Sequence, residues 1–130
     1  MFTPVGLDHV VLRVRDQAVS QRFYMTVLGC SLEHVNEAIG LVHLRFGQQL
    51  IDLFAAKPDA RAGDSGTGMD HFCLSIECDD LPGLAKQLRE ANVEVLGDIA
   101  QRRGAYGTGP SLYIRDPDGF QVELKVKPRP

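Results

Sequence analysis

The fold of this chain is indicated most clearly by two similar segments, LDHVVLRV at residues 7–14 and MDHFCLSI at residues 69–76. Both place Asp-His near the start of a stretch in which apolar residues alternate with others, which is the pattern of a β-strand. Because successive strand side chains point to opposite faces, His9 and His71 lie on the faces opposite the alternating apolar sets. The pair predicts a duplicated strand that carries a histidine at the same place in each copy.

A helical pattern follows each of these strands. Apolar residues recur at helical spacing after Asp16, a candidate N-cap, until Gly29. They do so again after Asp79 or Asp80, with Asn92 as a candidate C-cap. Short β-like segments come next, at residues 34–38, 41–46 and 49–54 in the first half and at 93–96, 111–115 and 120–126 in the second.

This order predicts an α+β fold built of two βαβββ modules, at about residues 7–56 and 69–126. With 130 residues, 44% hydrophobic and 24% charged, the chain has the size and composition of one globular domain, which we expect to span residues 1–130.

Charge and targeting patterns exclude several kinds of partner. The net charge is -3 and the basic residues are scattered, so we expect no nucleic-acid partner. We also expect no membrane association and a cytoplasmic location, because the sequence has neither a long apolar run nor a signal-peptide pattern at its N-terminus. Three cysteines without CxxC spacing predict reduced thiols rather than disulfides or a thiolate metal site.

The last strands of the two modules also match, because LIDL at residues 50–53 and QVEL at residues 121–124 each place a carboxylate between apolar neighbours. The histidines are 62 residues apart (71 − 9) and the carboxylates 71 (123 − 52), and we predict that a Gly-rich loop at residues 103–109 absorbs the difference. Glu123 lies on the strand face opposite the apolar set, as the histidines do.

Two imidazoles with one or two carboxylates form a mixed nitrogen and oxygen ligand set, suited to one divalent cation of Fe, Mn, Ni, Co or Zn. We predict His9, His71 and Glu123 as its ligands. Asp52 is a fourth candidate that binds directly, binds through water, acts as a base or only caps a strand edge. His34 and His43 lie outside the repeat and are predicted to be surface residues.

From Leu7 to Lys125 the chain resembles the vicinal oxygen chelate superfamily, which includes glyoxalase I, extradiol dioxygenases, fosfomycin-resistance enzymes and bleomycin-resistance proteins. The resemblance rests on the two repeated segments together with RFYMTVLGC at 22–30 and RDPDGFQVELK at 115–125. It implies a pair of half-barrels, a homodimer, and metal ligands on the first and last strands of each half, which are His9, Asp52, His71 and Glu123 here. Asp52 departs from the Glu or Gln usual in glyoxalase I.

The resemblance also implies substrate contacts. Glyoxalase-like chains often carry an arginine four residues after the first ligand that contacts glutathione, and Arg13 stands there. The asparagine expected four residues after the second ligand is replaced by Ala56. Tyr106, in a Gly-rich segment similar to a loop at the site mouth of relatives, is the other candidate for substrate binding.

The function implied is a metal-dependent lyase or isomerase of glyoxalase type, in which the metal captures vicinal oxygens of a small-molecule substrate and Asp52 or Glu123 shuttles the proton. A glutathione hemithioacetal is the candidate substrate. A transferase of the fosfomycin-resistance type and an extradiol dioxygenase are ranked lower, since no anion-binding lysine and arginine set is evident and dioxygenases usually have two such domains. The third alternative is a drug-binding protein without enzymatic activity.

Overall fold

The computed structural model describes residues 1, 3, 7–56, 69 and 71–129. The chain forms two compact units, Met1–Ala60 and Arg61–Pro130. The first contains β1 (His9–Val14), α1 (Gln17–Thr26), β2 (Ser31–Asn36), β3 (Leu41–Phe46) and β4 (Gln49–Ala55). The second contains β5 (Phe72–Ile76), α2 (Leu81–Glu90), β6 (Val95–Gly104), β7 (Gly107–Arg115) and β8 (Gln121–Val126). The predicted pair of βαβββ modules is confirmed.

The first unit has the strand order β1-β4-β3-β2, in which β1 and β4 are parallel and the remaining pairs are antiparallel. One face of this sheet is apolar and fully buried, with Leu12, Leu44 and Leu53 at or near zero exposure. Helix α1 packs against β3 and β4 and buries Tyr24. The opposite face therefore carries the polar strand residues, including the predicted ligands.

Helix α1 begins where the sequence predicts and ends at Thr26, before Val27 and Leu28 of the predicted helical run. The side chain of Asp16 accepts a hydrogen bond from the backbone N–H of Val19 at 3.1 Å, which satisfies a free donor of the first turn. After the helix, Gly29 has a φ of 74°, and this left-handed conformation lets the N–H of Cys30 bond to the carbonyl of Tyr24.

The second unit repeats this arrangement with the order β5-β8-β7-β6, and its first and last strands are again the parallel pair. Asp80 caps α2 by accepting from the N–H of Gly83. Asn92 follows the helix with a φ of 61°, as its predicted C-cap role requires. No helix within the described ranges is long and apolar enough to cross a membrane.

The predicted Gly-rich loop at residues 103–109 is wrong, because most of this segment is paired strand. β6 continues to Gly104, β7 begins at Gly107, and only two residues lie between them. A high glycine content suggests a loop. Here the backbones of Gly104, Gly107 and Gly109 are paired in the β6–β7 ladder. The extra residues of the second module are therefore taken up by a longer β-hairpin.

The bounds of three strands also differ clearly from the prediction. β2 covers Ser31–Asn36 rather than residues 34–38, β6 covers Val95–Gly104 rather than 93–96, and β7 covers Gly107–Arg115 rather than 111–115. β2 and β6 each contain a register shift, between Leu32 and His34 in β2 and between Leu96 and Ala100 in β6. Such a shift interrupts the alternation from which a strand is predicted.

Candidate metal-binding and catalytic site

His71 and Glu123 lie together in the second unit. Glu123 is on β8 opposite Cys73 of β5, and His71 precedes Cys73 by two residues on the same face. Nε2 of His71 is 3.4 Å from Oε2 of Glu123. Adjacent ligand atoms of a metal with bonds of about 2.0–2.2 Å are separated by roughly 3.0–3.4 Å. The pair therefore fits two neighbouring ligand positions of one cation.

Glu123 is only 5% exposed, and its two oxygens have different surroundings. Oε1 accepts a hydrogen bond of 2.8 Å from Oγ of Ser111, which is fully buried. Arg102 in turn donates from Nη1 to both the carbonyl (2.9 Å) and the Oγ (3.0 Å) of Ser111. This chain of contacts fixes the carboxylate and leaves Oε2 directed toward His71.

Tyr113 completes the surroundings of His71. The two rings meet edge to face with centroids 5.3 Å apart, and the guanidinium of Arg102 lies 4.6 Å from the centre of the tyrosine ring. The sequence analysis missed Ser111, Arg102 and Tyr113. A register count from the turn at residues 116–120 would have found two of them, because it places Tyr113 opposite Glu123 and Ser111 opposite Lys125.

Cys73 adjoins Glu123, and its thiol is held in the protonated form. Loss of water around its sulfur, together with the neighbouring charge of Glu123 and a hydrogen bond to it, raises the pKa of the Cys73 thiol to about 12. The thiol is therefore protonated at neutral pH. Cys30, Cys73 and Cys78 are all free, as the prediction of reduced thiols without disulfides requires.

Asp52 occupies the corresponding place in the first unit. It is 3% exposed, and its Oδ1 is 2.9 Å from Nδ1 of His43, the residue directly opposite it on β3. The prediction that His43 is a surface residue is therefore wrong, since its ring is held against a buried carboxylate. His34 is exposed as predicted and stacks on His43 with a centroid separation of 5.9 Å.

His9 has a more open setting, with 45% of its side chain exposed. Its Nδ1 is 2.7 Å from Oδ1 of Asp8. The hydrogen bond to the Asp8 carboxylate is the main cause that raises the pKa of His9, and the charge of Asp52 acts in the same direction. Val11 is the strand partner of Asp52, so His9 precedes that partner by two residues, as His71 precedes Cys73.

The structure thus arranges the four predicted ligands as two equivalent pairs, His9 with Asp52 and His71 with Glu123. In each module the histidine stands two residues before the strand partner of the carboxylate, and in the second module the two side chains are also in contact. No group of three or more His, Cys, Asp or Glu side chains is placed for metal binding within residues 7–56 and 71–129.

The two predicted substrate-binding residues lie outside these pairs. Arg13 donates to the carbonyl of Ala55 at 3.4 Å and lies 5.1 Å from the ring centre of Phe54. Tyr106 is in the turn between β6 and β7, exposed, with the ammonium of Lys127 at 4.6 Å from its ring centre. Both side chains present polar groups to solvent, and their substrate roles stay predictions.

Comparison with known proteins shows relatives of several activities. The chain is 32% identical over 122 residues to virulence protein STM3117 of Salmonella typhimurium, covering 91% of this chain and 81% of the relative. The crystal structure of that protein superposes with a TM-score of 0.77 at 28% identity, covering 98% of this chain and all of the other.

Two further relatives carry names that state an activity. The metallothiol transferase FosB of Bacillus licheniformis is 30% identical, covering 92% of this chain and 74% of its own length. A probable lactoylglutathione lyase of Synechocystis is 25% identical, covering 91% of this chain and 92% of its own. Residues 6–124, nearly the whole chain, match one family model. The chain belongs to the Glyoxalase/Bleomycin resistance protein/Dioxygenase superfamily.

Proposed function

We propose that this protein is a metal-dependent enzyme of glyoxalase type, a lyase or isomerase that acts on a small substrate with vicinal oxygens. The observation that carries the proposal is the equivalence of the two His–carboxylate pairs, whose strands have the same register in both modules. A structural role alone gives no reason for a histidine and a carboxylate to recur at matched positions when the surrounding sequence has diverged.

The metal ligands in this proposal are His9 in the first unit and His71 and Glu123 in the second, and Asp52 is the fourth candidate. Imidazole nitrogen and carboxylate oxygen suit a divalent cation such as Ni, Zn, Mn, Fe or Co. A bound cation of this kind supplies Lewis-acid stabilisation of an enediolate or alkoxide.

We assign different tasks to the two carboxylates. Glu123 is fixed by Ser111 at one oxygen and faces His71 with the other, as a ligand held in a set direction would be. Asp52 is paired with the imidazole of His43, whose Nδ1 is 2.9 Å from its Oδ1. A carboxylate held by a histidine is a suitable general base, so we propose Asp52 as the proton carrier.

The hemithioacetal of methylglyoxal and glutathione is the first substrate to test. The lactoylglutathione lyase relative supports it, and so does Arg13, which stands where glyoxalase-like chains contact glutathione. The protein should turn over this hemithioacetal when loaded with Ni, Zn, Co or Mn, and removal of the metal should abolish the rate. Absence of turnover with all of these metals would exclude this substrate.

Metal binding is tested separately from turnover by elemental analysis and by calorimetric titration of metal-free protein with Mn, Ni or Zn. His71→Ala and Glu123→Gln should lose bound metal. Glu33→Gln is the matched control, because Glu33 is exposed and pairs with Arg45 instead. If the unaltered protein purifies without metal and gives no heat with any cation, the proposal fails and a non-enzymatic binding protein is favoured.

A second candidate is thiol transfer, which the FosB relative favours because its identity to this chain is higher than that of the lactoylglutathione lyases. Incubating metal-loaded protein with fosfomycin and either glutathione or cysteine, and measuring loss of the epoxide, distinguishes the two. Consumption of the epoxide with no hemithioacetal turnover would select this function.

A further inference from the structure

Lys125 is a largely buried lysine on β8 that has no ionic partner among the described residues. It follows Glu123 by two residues, so both side chains project from the same face of the sheet. The residue is only 5% exposed. Within the same described residues, Lys125 donates no hydrogen bond and has no carboxylate within ion-pair distance.

The side chain of Lys125 runs across the β6–β7 hairpin over two glycines. A Cβ added at Gly104 would meet Cδ of Lys125 at 3.0 Å and Cε at 3.1 Å, and one added at Gly109 would meet Nζ at 3.3 Å. Glycine at both positions therefore makes room for the lysine. The aliphatic stem is packed against backbone, and the ammonium lies above Gly109.

The ammonium itself is not sealed off. Every fully buried side-chain nitrogen or oxygen in the described part of the chain has a hydrogen-bond partner. Since Lys125 has none there, its Nζ is the part of the side chain that keeps contact with solvent.

Arg102 brings a second cation to the same place. It lies directly opposite Gly109 on the neighbouring strand, and its Nη1 is held by Ser111. Its Nε and Nη2 donate to no acceptor in the described residues, which leaves part of the guanidinium fork available. Glu123 forms no ion pair with either cation in the described part of the chain, since its Oε1 accepts from Ser111 and its Oε2 faces His71.

We propose that Lys125 and Arg102 form an oxyanion-binding subsite beside Glu123, which takes a carboxylate, phosphonate or phosphate group of the substrate. Bound there, such a group pairs with the Lys125 ammonium and with the free donors of the guanidinium. That the bound anion is part of the substrate rests on the proposed function. That this subsite binds an anion does not depend on the proposed function.

The test uses the whole protein freed of metal, so that an anion cannot bind through the metal. Protein with ¹⁵N-labelled lysine is titrated with acetate, methylphosphonate or inorganic phosphate, and the Nζ resonances are followed by NMR. The chain has four lysines, at positions 57, 86, 125 and 127. We expect a saturable shift of Lys125 alone, and none with acetamide, the neutral analogue of acetate.

Comparison of the three anions identifies the preferred oxyanion. A Lys125 resonance that does not respond to any of them up to roughly 50 mM, a range covering millimolar affinity, would overturn the proposal. This measurement needs no variant, so it stands even where a substitution prevents folding.

Calorimetry on variants gives the second readout. Lys125→Met keeps the buried stem and removes the charge, and it should weaken binding of the preferred anion at least about tenfold. Lys86→Met, at an exposed lysine of α2, should leave the affinity unchanged. Equal affinity in both variants would sink the inference. The outcome is separable from the proposed function, because neither metal nor turnover enters the measurement.

Discussion

Nδ1 of His43 lies 2.9 Å from Oδ1 of Asp52, directly across the β3–β4 ladder. This contact gives the buried carboxylate a partner from its own module. In the second module the corresponding position opposite Glu123 is Tyr113, and Glu123 takes its hydrogen bond from Ser111 instead. The two repeated carboxylates are thus held by different chemical groups, which fits the different tasks proposed for them.

His43→Ala should destabilise the fold by about 1–3 kcal/mol, the usual cost of leaving a buried polar group without its partner. The measurement is urea-induced unfolding at neutral pH. His34→Ala is the matched control, because His34 is exposed and has no contact with Asp52 beyond its stacking on His43. Equal losses of stability in the two variants would show that the pair with Asp52 contributes little.

Ser111→Ala should weaken metal binding by roughly 10- to 100-fold, because it removes the donor that orients the Glu123 carboxylate. Competition of the protein with a chelator of known affinity measures this effect. Ser75→Ala is the control, since Ser75 is exposed on β5, the strand on the other side of β8. Ser111→Thr, which keeps the hydroxyl, should recover part of the affinity, and a failure to do so would argue against an orienting hydrogen bond.

Cys30 should make stability fall at high pH. Burial raises the pKa of its thiol to about 11, so the folded state holds this proton more tightly than the unfolded state, where a thiol titrates near pH 8.5–9. The contribution of this thiol to the free energy of unfolding is constant below about pH 8.5. It is lost progressively as the pH rises toward 11, to a total on the order of 2–3 kcal/mol.

The comparison that tests this is the pH dependence of unfolding free energy in Cys30→Ala and in the unaltered protein. The variant should lose less stability between neutral and alkaline pH. Cys78→Ala, at a less buried thiol, serves as the control. A slope in Cys30→Ala equal to that of the unaltered protein would contradict the expectation.

Asp116 should be critical for the turn that leads into β8. It is 5% exposed, and its Oδ1 accepts from the N–H groups of Asp118 (2.9 Å) and Phe120 (2.8 Å). Asp116→Ala leaves both donors without this acceptor and should cost about 2–4 kcal/mol. Asp116→Asn keeps an acceptor oxygen and should cost clearly less, as measured by thermal unfolding. If the two substitutions cost the same, the charge rather than the acceptor geometry is what matters.

Prediction of the fold from sequence succeeded where local patterns are strong. The repeated Asp-His strands, the N-caps Asp16 and Asp80 and the turn glycine Gly29 each act through the chain immediately beside them. The boundaries of β2 and β6 failed because register shifts break the alternation. The hairpin at residues 103–109 failed because glycine composition does not reveal whether the backbone is paired.

Of the candidate site, the sequence predicted the repeated residues but not the residues that contact them. The duplicated histidines and carboxylates are visible as a repeat along the chain, so they could be named without a structure. Their partners His43, Ser111 and Arg102 were missed, because cross-strand neighbours depend on the register of pairing. That register is set by turns and shifts distributed over many residues.

By itself, the sequence determined the α+β class and the duplication, and it singled out His9, Asp52, His71 and Glu123 as candidate metal ligands. These follow from periodicity and self-similarity, which are local properties. The tertiary structure decided that the first and last strands of each module pair in the same register, which turns four separate residues into two matched pairs. It also decided the burial of Lys125, because burial depends on strands that approach one another only after the chain has folded.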